Sequence, residues 1–166
     1  MEVYTHSYIL RALLWLTKAS VVVISVVIVC ATMAQVIFRY VVLSPLPWSE
    51  ELARYCFVWI VFLGGAIGLS RGAHLGVDLL VNLLPFKLQR AIETLSSVCI
   101  VIFALVVINA SLPVLQMNMY QRSPALGLQM SWVYAAIPLS MGLIAAVSVE
   151  RIIFSVLSHP SRGGRV

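Results

Sequence analysis

The stretch "PLPWSEELARY", residues 45–55, gathers the residue types best suited to ionic chemistry in this chain. Glu50 and Glu51 stand four and three residues before Arg54, so on a helix surface the arginine can pair with either carboxylate. Ser49 is suited to cap the helix these glutamates begin, where negative charge is favoured by exposed N–H groups. Trp48 suits the aromatic belt at a membrane–water interface. Two uses fit these residues. One is a capped helix start with a paired arginine. The other is contact with a further chain through Arg54, which lies on the side where positive charge is scarce.

A second constellation is His74, Asp78 and Asn82, spaced four residues apart along one helical stripe. Leu75, Leu79, Leu80, Leu83 and Leu84 occupy the other side. A metal or proton-relay role needs more groups than this, because a closed metal site usually takes four ligands. A solvated face with a local His–Asp hydrogen bond accounts for the pattern. Cys30, Cys56 and Cys99 are odd in number, far apart and set in apolar runs, without metal-ligand spacing. They read as small packing residues.

The elements that must position these groups are membrane helices. Of 166 residues, 61% are hydrophobic and 10% charged, against about 45–50% and about 25% in an ordinary soluble domain. So apolar a chain requires the bilayer as its solvent. Charge-free runs predict an all-α protein forming a single membrane domain over 1–166, with spans over about 19–38, 52–70, 94–116 and 132–149. The first run is too long for a signal peptide and lacks an A-x-A site, so it is expected to be retained. "SYILRALLWLTK" before it places Arg11 and Lys18 on one face. That stretch either lies in the interface or extends the first span inward. The segment over about 73–84 is predicted to be a short amphipathic helix in the cytoplasmic interface, with Arg71, His74 and Asp78 at its polar side.

Lys and Arg counts set the orientation. Arg11, Lys18, Arg71, Lys87, Arg90, Arg151, Arg162 and Arg165 fall on the side of the termini, and Arg39, Arg54 and Arg122 on the other. Both termini are therefore expected in the cytoplasm, with "PLPWSEEL" facing outward. Gly64, Gly65 and Gly68 open a small-residue spacing that allows close helix packing. No Asp, Glu, Lys, Arg or His lies near the middle of any predicted span, whereas ion-coupled transport leaves such a group or a broken helix as its trace. Pro138 reads as a packing kink. The chain is expected to move no solute by itself.

The run "FRYVV…LPWSEELARYCFVWIVFLGGAIGLSRGAHLGVDLL", with Pro124 ahead of "ALGLQMSWVYAAIPL", resembles the small integral-membrane subunit of tripartite ATP-independent periplasmic (TRAP) transporters, the DctQ-like family. The resemblance covers about Arg39 to Gly142. It implies pairing with a large membrane subunit that holds the sodium and substrate sites and performs the elevator movement, and reception of a periplasmic substrate-binding protein. It gives Arg39, Trp48, Glu50, Glu51 and Arg54 a place at one of those interfaces. It further implies an inner-membrane protein that imports an organic acid, is not an enzyme, and holds no cofactor in this chain. Membrane lipids are expected neighbours. No basic, aromatic-interleaved stripe points to nucleic acid. Two other classes compete. An autonomous homodimeric transporter or exporter would want a membrane-embedded carboxylate. A redox enzyme would want paired cysteines or histidines within the spans, yet His6, His74 and His159 lie outside them.

Overall fold

The computed structural model describes residues 8–71 and 85–157. Among them the regular elements are all helices: α1 (Tyr8–Tyr40), α2 (Pro47–Ser70), α3 (Phe86–Met117), α4 (Met130–Tyr134) and α5 (Ala136–Leu157). Four stretches are long and apolar enough to cross a membrane: Tyr8–Tyr40, Pro47–Ser70, Ala91–Met117 and Met130–Ile153. Each contains one predicted span and runs past it, because charged and aromatic residues continue a helix beyond the hydrocarbon edge. The stretch around Arg11 thus extends the first span as one continuous helix. The arm over 73–84, with His74 and Asp78, lies outside the described residues.

Sequence chemistry explains the breaks. Pro47 sits at the first position of α2, where its fixed φ favours the helix and its missing N–H costs nothing. The helix therefore starts two residues before Ser49, which does not cap it. The Ser49 hydroxyl instead donates back to the Leu46 carbonyl (2.8 Å), fully buried. Pro138 cannot supply an N–H to Tyr134, and its ring crowds that carbonyl. Helix α4 accordingly ends at Tyr134, and after one residue, Ala135, α5 continues the span. The break expected of Pro138 is confined to that one residue, which keeps helical dihedrals (φ −61°, ψ −20°). Pro113 is accommodated inside α3 without a break.

The helices pack in the spatial row α1–α2–α5–α3, so α5 is inserted between the second and third spans. No extensive contact closes the row between α1 and α3 among the described residues. Buried positions recur at steps of three, four and seven: Leu10, Leu14 and Thr17 on α1, Leu63, Ala66 and Ser70 on α2, Ala104 and Ser111 on α3, and Val133, Ala136, Ser140 and Val147 along α4 and α5. That repeat of about 3.5 is the seam of left-handed, nearly parallel helix packing. Small residues dominate it, since in lipid close backbone approach replaces the hydrophobic drive. Leu10 and Leu14 share a buried cluster with Val147, tying the start of α1 to α5. Most hydroxyls bond back to their own helix, as Thr17 does to Leu13 (2.8 Å) and Ser25 to Val21 (2.7 Å).

Candidate functional site

The end of the row opposite the termini is built from the start of α2 and the loop joining α3 to α4. Glu50 and Glu51 are adjacent in sequence, so on α2 they point about 100° apart. Glu50 faces out and accepts a 3.0 Å ion-pair contact from Arg54, both side chains about two-thirds exposed (68% and 67%). Of the two pairings open to Arg54, this is the one formed.

Glu51 turns toward the distant loop. Its carboxylate accepts the backbone N–H of Ala125 on both oxygens (3.2 Å each) and that of Leu126 (3.1 Å). The loop is shaped to offer them. Pro124 contributes no N–H, and Ser123 N donates to the Leu128 carbonyl (2.8 Å) while Gly127 N donates to the Ser123 carbonyl (3.0 Å). The Ser123 side-chain oxygen accepts from Leu128 N (3.2 Å) and is buried. Gly127 stands at φ +65°, a left-handed conformation glycine adopts without strain. Met130 N donates to the Gln121 carbonyl (2.9 Å), and the Arg122 guanidinium to the Gly127 carbonyl (3.2 Å), closing the hairpin-like turn. With the loop's internal donors so used, the N–H groups of Ala125 and Leu126 form a small positive concavity, and Glu51 fills it.

Around this clamp large side chains stand exposed: Trp48 at 39%, Tyr120 at 94% and Trp132 at 68%. Arg39 is exposed at the end of α1, its guanidinium 6.0 Å from the Tyr40 ring centroid. Such groups offer hydrogen-bonding, ionic and aromatic contact. Arg71 lies exposed at the opposite end of α2, where its N–H donates to the Ile67 and Gly68 carbonyls. Also at that end, the Arg151 guanidinium donates to the Leu69 carbonyl and satisfies one of the unpaired acceptors that close α2. Gly64 and Gly65 meet no atom within 4 Å of a Cβ built on them, so among the described residues both border open space. Gly68 is half-buried.

Sequence reasoning singled out Glu50, Glu51 and Arg54 but not Ser123, Ala125, Leu126, Gly127 or Arg151. "SPALG" does carry a turn signature in its serine, proline and glycine. Nothing local, however, marks it as the hydrogen-bond donor to a carboxylate 74 residues away in sequence.

Four apolar helices with one hydrogen-bonded polar end define a multi-pass integral membrane protein. The chain belongs to the DctQ component family of the tripartite ATP-independent periplasmic transporters, whose family model matches residues 28–157. A Haemophilus influenzae protein assigned as a TRAP transporter small permease is 29% identical over 121 residues, 73% of this chain and 75% of that one. The C4-dicarboxylate TRAP transporter small permease protein DctQ of Rhodobacter capsulatus is 32% identical over 101 residues, 60% of this chain and 44% of its own length. The sialic acid TRAP transporter permease protein SiaT of Haemophilus influenzae is 30% identical over 105 residues, 63% of this chain, a match that spans only 17% of that larger protein. The family and the four apolar helices together make this a multi-pass protein of the bacterial inner membrane, and a transporter subunit in class.

Proposed function

We propose that this chain is the small scaffold subunit of a sodium-coupled TRAP transporter importing an organic acid delivered by a periplasmic substrate-binding protein. It pairs with the large permease subunit and carries no transport site of its own. Sodium ions belong to the large partner, and this chain holds no cofactor. The observation that carries the reading is the open row α1–α2–α5–α3, whose flanks remain apolar and exposed, as at Ile102, Phe103 and Val106. A helix row of that kind is a wall suited to seating a larger membrane body. The SiaT match, in which the homologous stretch is a minor part of a permease, supports such a pairing.

In this reading the termini are cytoplasmic and the arm over 73–84, with His74 and Asp78, lies in the cytoplasmic interface. The end bearing Arg39, Trp48, Glu50, Glu51 and Arg54 then faces the periplasm, where it meets the large subunit or the binding protein. Gly64, Gly65 and Gly68 offer a close-approach strip to a partner helix. The test is co-expression with a candidate large permease. The two chains should co-purify, and proteoliposomes should take up the acid only when both chains and the binding protein are present. Uptake by this chain alone would overturn the proposal.

A further inference from the structure

Helix α1 has 33 residues and is about 50 Å long at 1.5 Å per residue. Residues 19–38 alone cross a hydrocarbon core of about 30 Å. Residues 8–18 therefore project about 16 Å past it, into the headgroup region and the water beyond. At 100° per residue, Arg11, Trp15 and Lys18 fall within an arc of about 60°. This stripe lies to one side of the buried line Leu10, Leu14 and Thr17. Trp15 is 70% exposed, Arg11 exposed and Lys18 half-buried. Among the described residues neither cation has a hydrogen-bond or ion-pair partner. Toward the membrane centre the same arc continues as Val22, Val26 and Val29, which are 63%, 57% and 56% exposed. One helix face thus presents two cations, unpaired among the described residues, and an indole above an aliphatic lane.

We propose that this face binds an anionic glycerophospholipid. Long side chains on a helix lean toward its N-terminus, so the Lys18 ammonium rises toward the level of Trp15. Arg11, two turns further out than Lys18, folds its long exposed side chain back to meet the same headgroup from the water side. Its planar fork suits a phosphate bidentately, and Lys18 adds a point charge. Trp15 sits at headgroup depth, as interfacial tryptophans do, and one acyl chain lies along the valine lane. The lane distinguishes a lipid from free phosphate, which the cations alone would not. Such a lipid site needs neither the transporter function nor a particular leaflet.

The experiment is native mass spectrometry of the full chain released from detergent with equal amounts of phosphatidylglycerol and phosphatidylcholine of the same acyl chains. The wild type should retain phosphatidylglycerol preferentially. At about fivefold per cation near a membrane surface, Arg11→Gln with Lys18→Gln should cut that preference about 25-fold. The charge-keeping pair Arg11→Lys with Lys18→Arg should largely preserve it, and circular dichroism should show full helicity in both variants. Excess glycerol phosphate should not displace the lipid. The proposal is overturned if the wild type shows no preference, if the Gln pair retains it, or if glycerol phosphate competes equally. It is also overturned if the assembled complex carries no such lipid and the Gln pair instead loses its large-subunit partner, because the stripe would then be a protein contact.

Discussion

Glu51 on α2 accepts the backbone N–H of Leu126 at 3.1 Å, across 75 residues of sequence, and so fastens the start of the second span to the loop ahead of the fourth. Its neighbour Glu50, one residue earlier, makes a surface pair with Arg54. Two adjacent carboxylates therefore hold different jobs, fixed by the direction each takes from the helix.

Replacing Glu51 by Ala should release the N–H groups of Ala125 and Leu126. Hydrogen–deuterium exchange of residues 118–130 should then speed up by about an order of magnitude, while the helices keep their protection. Glu51→Gln keeps one acceptor and should fall between. Unchanged exchange in Glu51→Ala would show that the clamp does not order the loop.

Glu50→Gln should leave the thermal midpoint unchanged within about 1 °C, since an exposed i,i+4 pair contributes under about 0.5 kcal/mol. Arg54→Glu also sets like charge beside Glu50 and Glu51 and should cost the isolated chain up to about 1 kcal/mol. A drop in co-purification with the large subunit or in uptake is expected only in the assembled system, and its absence there would remove Arg54 from any interface.

The Ser140 and Ser148 side-chain oxygens are buried without a hydrogen-bond partner among the described residues. Ser140→Ala should thus be neutral or raise stability by up to about 1 kcal/mol. Ser140→Leu should lower it by about 1–3 kcal/mol, because the added methylenes force packed helices apart. Denaturant unfolding in detergent measures both, and a destabilised alanine variant would mean the hydroxyl has a partner after all.

Arg151→Ala should cost about 1–2 kcal/mol by leaving the Leu69 carbonyl without its charged donor at the end of α2. Lysine at 151 should recover part of this, seen as a partial return of the thermal midpoint.

Gly64→Ala and Gly65→Ala should each stabilise the isolated chain by about 0.5–1 kcal/mol, as nothing within 4 Å opposes the new methyl and alanine favours the helix. If a partner helix uses this strip, the same changes should weaken assembly. Stabilisation with intact assembly would leave the glycines without a contact role.

The amino-acid sequence by itself determined the class of solvent, the number of spans and the spacing that puts Glu50 and Arg54 on one face of α2. Those features follow from local composition and spacing: about twenty apolar residues reach across a core, and charges three or four apart share a helix face. Pro138 likewise announced the break at Ala135, because the lost N–H is a property of the residue. Ser49 misled for a local reason also, as Pro47 begins the helix earlier than the serine would.

Only the tertiary structure decided which carboxylate Arg54 holds, that Glu51 grips Ala125 and Leu126, and that α5 lies between α2 and α3. It also decided that Gly64 and Gly65 border open space and that Arg151 closes α2. Each of these depends on helices distant in sequence meeting at a particular rotation and height. In a chain apolar on nearly every face, no contrast between polar and apolar sides tells the face turned to a neighbouring helix from the face turned to lipid. Shape and small-residue packing make that choice, and they exist only once the helices are side by side.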